Sequence, residues 1–203
     1  ERIPAGARMT FSALPLIELT IAVASRSDES IIVCMAKQNN RNRKIAVIGT
    51  INRDSVTRAD GSRFEGYGGI LYNLAVLSAL SPSGISVYPI TNIGSDCSRQ
   101  ILNRLAQFAR IESQGVRIVA KPNNHCILRY WDAAGKTEVL NGWVGGVSRR
   151  QLQRVVDAEL VLINFISGAD ISGRNLRWLR GQYDGEIYMD FHSRTLGRRR
   201  DGS

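Results

Sequence analysis

The feature that most constrains this chain is an alternation of two hydrophobic patterns that begins at Lys44. A continuous apolar run of strand length, KIAVIGT at 44–50, precedes ILYNLAVLSAL at 70–80, whose apolar residues recur at helical spacing. A second predicted strand and its loop, ISVYPITNIG at 85–94, precede a helical pattern at 95–109, which Ser95 or Asp96 can cap. Unbroken apolar strands are typical of sheets covered on both faces. The alternation therefore predicts an α/β domain with a mostly parallel sheet.

The helical pattern disappears between Gly115 and Trp143. Three short segments with period-2 alternation, GVRIVA, HCILRYWD and KTEVLNGW, are separated there by turn residues. This pattern predicts an antiparallel ribbon that projects from the sheet as a flap. The α/β alternation then resumes with helical patterns at 148–157 and 172–181 and with strand patterns at 158–165 and 186–191.

The first 43 residues differ from the rest of the chain. Their apolar stretches have no clean period, and MAKQNNRNRK from Met35 resembles a natural start that leads into the first strand. We therefore interpret residues 1–43 as an N-terminal extension of uncertain structure, and residues 44–203 as the folded domain.

Composition limits the classes of function. None of the apolar runs reaches the roughly 20 residues that a membrane helix needs. Three cysteines without CxxC spacing favour neither a disulfide framework nor a zinc site, so we expect a cytoplasmic protein with no bound metal of its own. The net charge of +9 favours anionic partners, but the basic residues are scattered except for RTLGRRR at 194–200. We therefore do not expect nucleic acid to be the main partner.

Polar residues follow the first predicted strand. Asn52 and Asp54 come directly after KIAVIGT, and ligands of open parallel sheets bind beyond the carboxyl ends of the strands. A carboxylate and an amide at this position can grip two neighbouring hydroxyls. In the competing interpretation, both side chains satisfy local backbone groups in a turn.

A glycine pair precedes the first predicted helix. Gly68 and Gly69 allow a ligand to approach the backbone and expose amides at the helix start, and Asn73 lies one turn inside the helix. The sequence contains neither the GxxxxGK[ST] nor the GxGxxG spacing of nucleotide-binding loops. The later turn TNIGSD at 91–96 is explained by a capped helix start.

The order of these motifs resembles the N-terminal portion of the ribokinase-like (PfkB) carbohydrate kinase family, from about Lys44 onward. GTINRDSV resembles the first-strand sugar-binding motif of that family, and GGILYNLA resembles its first signature. The resemblance implies a ribokinase-like three-layer α/β/α fold with a mostly parallel sheet and a small β-rich lid at about 115–143. It also implies roles for individual residues: hydroxyl binding by Asn52 and Asp54, a pocket shaped by Gly68 and Gly69, a further hydrogen bond from Asn73, and a structural turn at Gly94 and Asp96.

The same resemblance implies transfer of the ATP γ-phosphoryl group to a hydroxyl of a sugar or nucleoside, with Mg²⁺ neutralising charge. This sequence departs from the family pattern at two places, and both limit what the resemblance implies about activity. Ile70 and Leu71 stand where the relatives closest to ribokinase have Lys-Gly, which leaves the sugar open. The second family signature, which supplies the catalytic base and the anion hole, is absent before Ser203. We therefore expect a fold truncated at the C-terminus, a largely missing nucleotide site and no kinase turnover by this chain alone.

Other possibilities stay open at this point. A homodimer could form through the lid, and no membrane partner is expected. One alternative function is a sugar-binding or regulatory module without chemistry. A second is a basic nucleic-acid-binding protein that uses the arginine-rich end of the chain.

Overall fold

The computed structural model describes residues 43–132 and 135–195, and it contains two β-sheets and four α-helices within them. The strands are Arg43–Ile48 (β1), Arg53–Thr57 (β2), Arg63–Tyr67 (β3), Ile85–Gly94 (β4), Val116–Val119 (β5), His125–Tyr130 (β6), Lys136–Asn141 (β7), Leu160–Asn164 (β8) and Glu186–Asp190 (β9). The helices are Ile70–Leu80 (α1), Ser98–Leu105 (α2), Arg149–Leu152 (α3) and Gly173–Arg180 (α4), with short 3₁₀ turns at 113–115, 153–155 and 192–195. The predicted extension at 1–43 lies almost entirely outside the described residues.

The large sheet has the strand order β5-β4-β1-β8-β9, and all of its neighbouring strands are parallel. Its central strand, β1, pairs with β4 on one side and β8 on the other, with Ile45 opposite Val87 and Leu160. Ala46, Val47 and Ile48 have no exposed surface, which explains why the strand is an unbroken apolar run. The prediction of a mostly parallel α/β sheet is confirmed.

Helices cover the two faces of the large sheet. Ala46 and Ile48 belong to a buried cluster that contains Leu152 of α3 and Leu179 of α4. The alternate residues of β1 point to the opposite face, and α1 packs against β1 and β4. This is the three-layer α/β/α arrangement that the sequence predicts.

The second sheet, called the small sheet below, has the order β3-β2-β6-β7. The β2–β3 and β6–β7 pairs are antiparallel, whereas β2 and β6 are parallel. The predicted ribbon at 115–143 is therefore divided: Val116–Val119 joins the large sheet beside β4, and only β6 and β7 enter the small sheet. The other half of the small sheet comes from β2 and β3, whose polar segments RDSVT and RFEGY carry no strand-like apolar alternation.

The start of α2 differs from the prediction. Its N-cap residue is Cys97 rather than Ser95 or Asp96, and no side chain caps the helix. Asp96 instead accepts a hydrogen bond from the backbone N–H of Asn123, at 2.8 Å, so that its carboxylate connects the helix start to the segment before β6. Across the described part of the chain, none of the helices combines the length and apolar character needed to cross a membrane.

Candidate functional site

The site begins where the chain leaves the carboxyl end of β1 and enters the β2–β3 hairpin. The Gly68 N–H donates to the Asn52 carbonyl at 3.0 Å, which extends the hairpin by one pair beyond Arg53 and Tyr67. Because successive residues of a strand face opposite sides, Asn52 and Asp54 project from the same side of the hairpin. The structure therefore brings together three of the residues that the sequence singled out: Asn52, Asp54 and Gly68.

The Asp54 carboxylate occupies the space that a side chain at position 68 would need. A Cβ atom added at Gly68 would lie 2.1 Å from Oδ2 of Asp54 and 3.1 Å from the ring of Tyr72. The carboxylate therefore lies directly against the backbone of the glycine pair. This contact gives a physical reason for glycine at a position that the sequence marks only by its place before a helix.

Gly69 connects α1 to the end of β1. It has a φ of 66°, and an added Cβ would lie 2.2 Å from the Thr50 carbonyl oxygen. That carbonyl accepts a hydrogen bond from Ile70 at 3.1 Å, so the first amide of the helix is already occupied. The expectation of open amides at the helix start is therefore wrong for Ile70, and the contact fixes α1 to the large sheet.

Asp54 shares its environment with a second carboxylate. Burial, followed by the negative charge of Glu138 on β7, raises the pKa of Asp54 to about 7. Cys126 lies opposite Asp54 in the β2–β6 register, and its thiol donates to Glu138 at 3.5 Å. Burial and these two carboxylates raise the pKa of the Cys126 thiol, so it remains protonated. No sequence motif marks Glu138, which follows Asp54 by more than 80 positions.

A pair of asparagines lies on the other side of the glycine pair. Asn164, the last residue of β8, donates from Nδ2 to Oδ1 of Asn73 at 3.0 Å. Asn73 is therefore bonded to Asn164 and not to Asn52 or Asp54. Asn164 follows a strand-length apolar run, as Asn52 does, but only the β1–β8 pairing shows that the two strand ends are adjacent.

Three buried polar atoms near these residues have no hydrogen-bond partner within the described residues: Oδ1 of Asn52, Oδ1 of Asn164 and Nδ2 of Asn124. The residues that carry them are at most 6% exposed. The main chain of Asn124 is fixed beside the site, since its carbonyl accepts from the Arg53 N–H at 2.8 Å. A buried polar group without a partner costs about 1–3 kcal/mol, and a ligand that bonds to it removes this cost.

Gly94 and Asp96 belong to a turn that is fixed by the buried side chain and the backbone of Asn123. The Gly94 N–H donates to Oδ1 of Asn123 at 2.9 Å, and the Asn123 N–H donates to Asp96. Asn123 also donates from Nδ2 to the Ile51 carbonyl at 2.9 Å. One buried asparagine therefore connects the ends of β1 and β4 to the start of β6.

Asp170 holds the loop that follows β8 against the end of β1. It is 2% exposed and accepts hydrogen bonds from the hydroxyl of Thr50 and from the N–H and hydroxyl of Ser167. Burial raises the pKa of its carboxyl group, although these hydrogen bonds oppose the shift. The sequence offered no motif that would identify this residue.

Comparison with solved structures identifies the fold. The ribokinase from Giardia lamblia matches with a TM-score of 0.56 and 19% identity over 73% of this chain and 50% of its own. The ribokinase from Thermotoga maritima matches with a TM-score of 0.59 and 17% identity over 75% and 54%. A ribokinase from Arabidopsis thaliana in complex with ribose and ATP matches with a TM-score of 0.52 and 14% identity over 74% and 53%.

The chain thus spans about half the length of these structures. Its sequence matches none of the protein-family models, and none of the curated proteins is detectably similar in sequence. At these identities the likeness concerns the fold. The chain has the ribokinase-like fold.

Proposed function

We propose that this chain forms the acceptor-binding part of a carbohydrate kinase that transfers the ATP γ-phosphoryl group to a hydroxyl of a sugar or nucleoside. The observation that carries the proposal is the group of polar atoms at the carboxyl ends of β1 and β8. Within the described residues, Asn52 and Asn164 each leave a buried side-chain oxygen without a partner there, and the Asp54 carboxylate lies against Gly68. Ribose and ATP are bound by a ribokinase of the same fold.

In this proposal, Asn52 and Asp54 hold neighbouring hydroxyls of the acceptor. A pKa of about 7 lets the Asp54 carboxyl group exist in both protonation states near neutral pH. Its ionised form accepts two hydroxyl hydrogens, and its protonated form both donates and accepts. Gly68 allows the acceptor and the carboxylate to share the space above the glycine pair. Phosphoryl transfer depends mainly on such positioning of the nucleophilic hydroxyl.

The small sheet would act as the lid over this acceptor. Cys126 and Glu138 lie on the same side of the small sheet as Asp54, according to the strand register. A cover from this side would exclude water from the acceptor hydroxyl and limit the wasteful hydrolysis of ATP. Pairing of two such sheets in a homodimer is part of the same proposal.

The nucleotide and Mg²⁺ are assigned to no residue of this chain. Within residues 43–132 and 135–195, no three side chains of His, Cys, Asp or Glu are grouped so that they could hold a metal ion. Bound Mg-ATP would supply the transferable phosphoryl group. The residues described here bind and orient the acceptor, and Asp54 is a binding residue in this scheme rather than the catalytic base.

Calorimetric titration with a panel of sugars and nucleosides tests the proposal. We expect Asn52→Ala and Asp54→Ala each to weaken binding of the best ligand about tenfold or more, because each loses hydrogen bonds made in a buried site. Asp184→Asn, which changes an exposed carboxylate of the α4–β9 loop, is the matched control and should bind normally. The proposal fails if no member of the panel binds, or if the three variants bind alike.

A coupled assay of ADP release tests whether the chain itself has kinase activity. We expect sugar-dependent ADP release to be absent with the 203-residue chain alone. Turnover in a coupled assay would contradict that expectation. Binding to DNA or RNA that weakens steeply with salt would instead favour the basic nucleic-acid binder.

A further inference from the structure

The site offers a ligand several hydrogen-bond acceptors. Within the described residues, Oδ1 of Asn52 and Oδ1 of Asn164 are buried and without partners, and the carboxylates of Asp54 and Glu138 are further acceptors on one face of the small sheet. The side-chain amide of Asn164 cannot be flipped by itself, because its Nδ2 already donates to Oδ1 of Asn73. Amide donors are present as well: Nδ2 of Asn124 is buried without a partner in the described part of the chain, and Asn52 and Asn73 each carry an Nδ2 donor. A ligand that fits the free oxygens must itself supply donors.

The charge of the site is also one-sided. Asp54 and Glu138 project from the same face of the small sheet, close enough for Glu138 to affect the titration of Asp54. The cation that pairs with Glu138 is Lys136, at 3.3 Å, and both side chains of this pair are more than a third exposed. Arg53 and His125 are paired in the register, but they lie on the opposite face of the sheet.

We propose that the acceptor is an amino sugar or a related aminopolyol, whose ammonium group lies between Asp54 and Glu138 and whose hydroxyls bond to Asn52 and Asn164. This inference rests on the proposed function, because it takes the acceptor site to be where that function places it. An ammonium group supplies three donors and a positive charge, which match two carboxylates better than a hydroxyl does.

The same arrangement works against other acceptors. A neutral sugar brings no positive charge to Asp54, whereas Glu138 is already paired with Lys136. A sugar acid or sugar phosphate adds a third negative group to a partly buried site, and like-charge contacts are a strong means of rejecting a ligand. We therefore expect affinity to decrease from the amino sugar to the neutral sugar and then to the sugar acid.

Proton release gives a second readout that does not depend on a variant. The titratable groups around Asp54 are Glu138 on β7, Cys126 on β6 and Tyr72 on α1. At pH about 6.5 an amino group is mostly protonated, and a substantial fraction of Asp54 is protonated as well. A bound ammonium group favours the ionised carboxylate, so binding of an amino sugar should release a fraction of a proton to the buffer. Binding of the neutral sugar should not.

The experiment is calorimetry at pH about 6.5 with glucosamine, glucose, N-acetylglucosamine and glucuronate, repeated with the galactose series. Each titration is performed in two buffers of different ionisation enthalpy. We expect the amino member to bind about tenfold tighter than its neutral parent, which is the scale of one charge-assisted contact. In Glu138→Gln the ratio of the two affinities should fall toward one, whereas Glu112→Gln, beside the N-terminal half of β4, should keep the wild-type ratio.

The outcomes are distinct. Preference for the amino sugar that is accompanied by proton release and is reduced in Glu138→Gln supports the inference. Equal or tighter binding of the neutral sugar, with both ligands weakened by Asn52→Ala, overturns it and leaves the proposed acceptor site in place. Absence of binding by every member of both series overturns the inference, whereas the proposed function fails only if the full panel of sugars and nucleosides also shows no binding.

Discussion

Asp54 connects the chemistry of the site to the stability of the fold. Its carboxyl group has a pKa of about 7 in the folded protein, whereas the ordinary value is 3.8. Between these two pH values the folded state holds a proton that the unfolded state has already lost. The free energy of unfolding must therefore fall as the pH rises through this window.

Replacement of Asp54 by Asn removes this titration. We expect Asp54→Asn to have nearly the stability of the wild type near pH 4, and to exceed it by roughly 2–4 kcal/mol near pH 8. Urea unfolding at a series of pH values measures the difference. Asp184→Asn should follow the wild-type curve, and a constant difference between Asp54→Asn and the wild type across this range would contradict the assigned environment.

The role of Gly68 in binding can be tested separately from its role in folding. The atoms that an added methyl group would meet first belong to the Asp54 carboxylate, which is the end of a side chain and can move. We expect Gly68→Ala to fold with little loss of stability but to bind the acceptor about tenfold or more weakly, because the displaced carboxylate loses its contact. Gly173→Ala is the matched control, since an added Cβ there meets no atom within 4 Å.

If Gly68→Ala does not fold while Gly173→Ala folds normally, the Asp54 carboxylate cannot move aside. The role of Gly68 would then be structural only. The measurement needs both a thermal melt and a binding titration with the ligand found for the wild type.

At the scale of elements, the junction between β1 and α1 determines where the site forms. Gly69 has a φ that side-chain-bearing residues avoid, and its missing Cβ makes room for the Thr50 carbonyl, a backbone atom that cannot move alone. We expect Gly69→Ala to lose at least about 3 kcal/mol of unfolding free energy, from strain and collision together.

Gly84→Ala separates backbone strain from the collision with the Thr50 carbonyl, the two contributions to the loss expected in Gly69→Ala. Gly84 also has a positive φ, of 86°, but an added Cβ there meets nothing within 4 Å. It should therefore lose only about 1 kcal/mol, from backbone strain. Equal losses in Gly69→Ala and Gly84→Ala, measured by urea unfolding, would contradict the role of the Thr50 contact.

Most elements of the large sheet were predictable because hydrophobic burial determines their residue pattern. Helix α1 spans the predicted 70–80. Strand β4 continues through residues 91–94, which were expected in a turn, and β5, which was expected in the antiparallel ribbon, pairs with these residues. Strands β2 and β3 were not predicted, because the strands of an open sheet need few apolar residues. Their five residues each are exposed or half-buried. These two segments are strands because they form hydrogen bonds to each other, and because β2 also pairs with β6, which lies more than 50 positions later.

The site was predictable to the extent that it is local in sequence. Asn52, Asp54 and the glycine pair form short motifs near the first strand, and the structure places them in contact. Asn164 and Glu138 come from β8 and β7, and only the strand pairing brings them near. No spacing rule links them to the first motif, so their place near it appears only in three dimensions.

At the scale of the whole molecule, β9 differs from the other strands of the large sheet. Within the described residues it pairs only with β8, and four of its five residues are exposed. Tyr188 and Met189 are 49% and 41% exposed, and Phe191, just after the strand, is 47% exposed. Strands of parallel sheets are normally covered on both faces, so this edge presents apolar side chains and free backbone groups to solvent.

We expect the isolated chain to associate through this edge. Antiparallel pairing of two β9 strands centred on Tyr188 would place Glu186 opposite Asp190 of the second copy, and like charges in such pairs are destabilising. The apolar side chains should therefore contribute more to association than strand pairing in that register. Met189→Lys should reduce association, whereas Leu80→Lys, which adds the same charge at a residue that is 77% exposed on α1, should not. Light scattering over about 1–100 µM protein follows the mass-action change. A monodisperse monomer throughout this range, or an equal effect of both variants, would contradict association through β9.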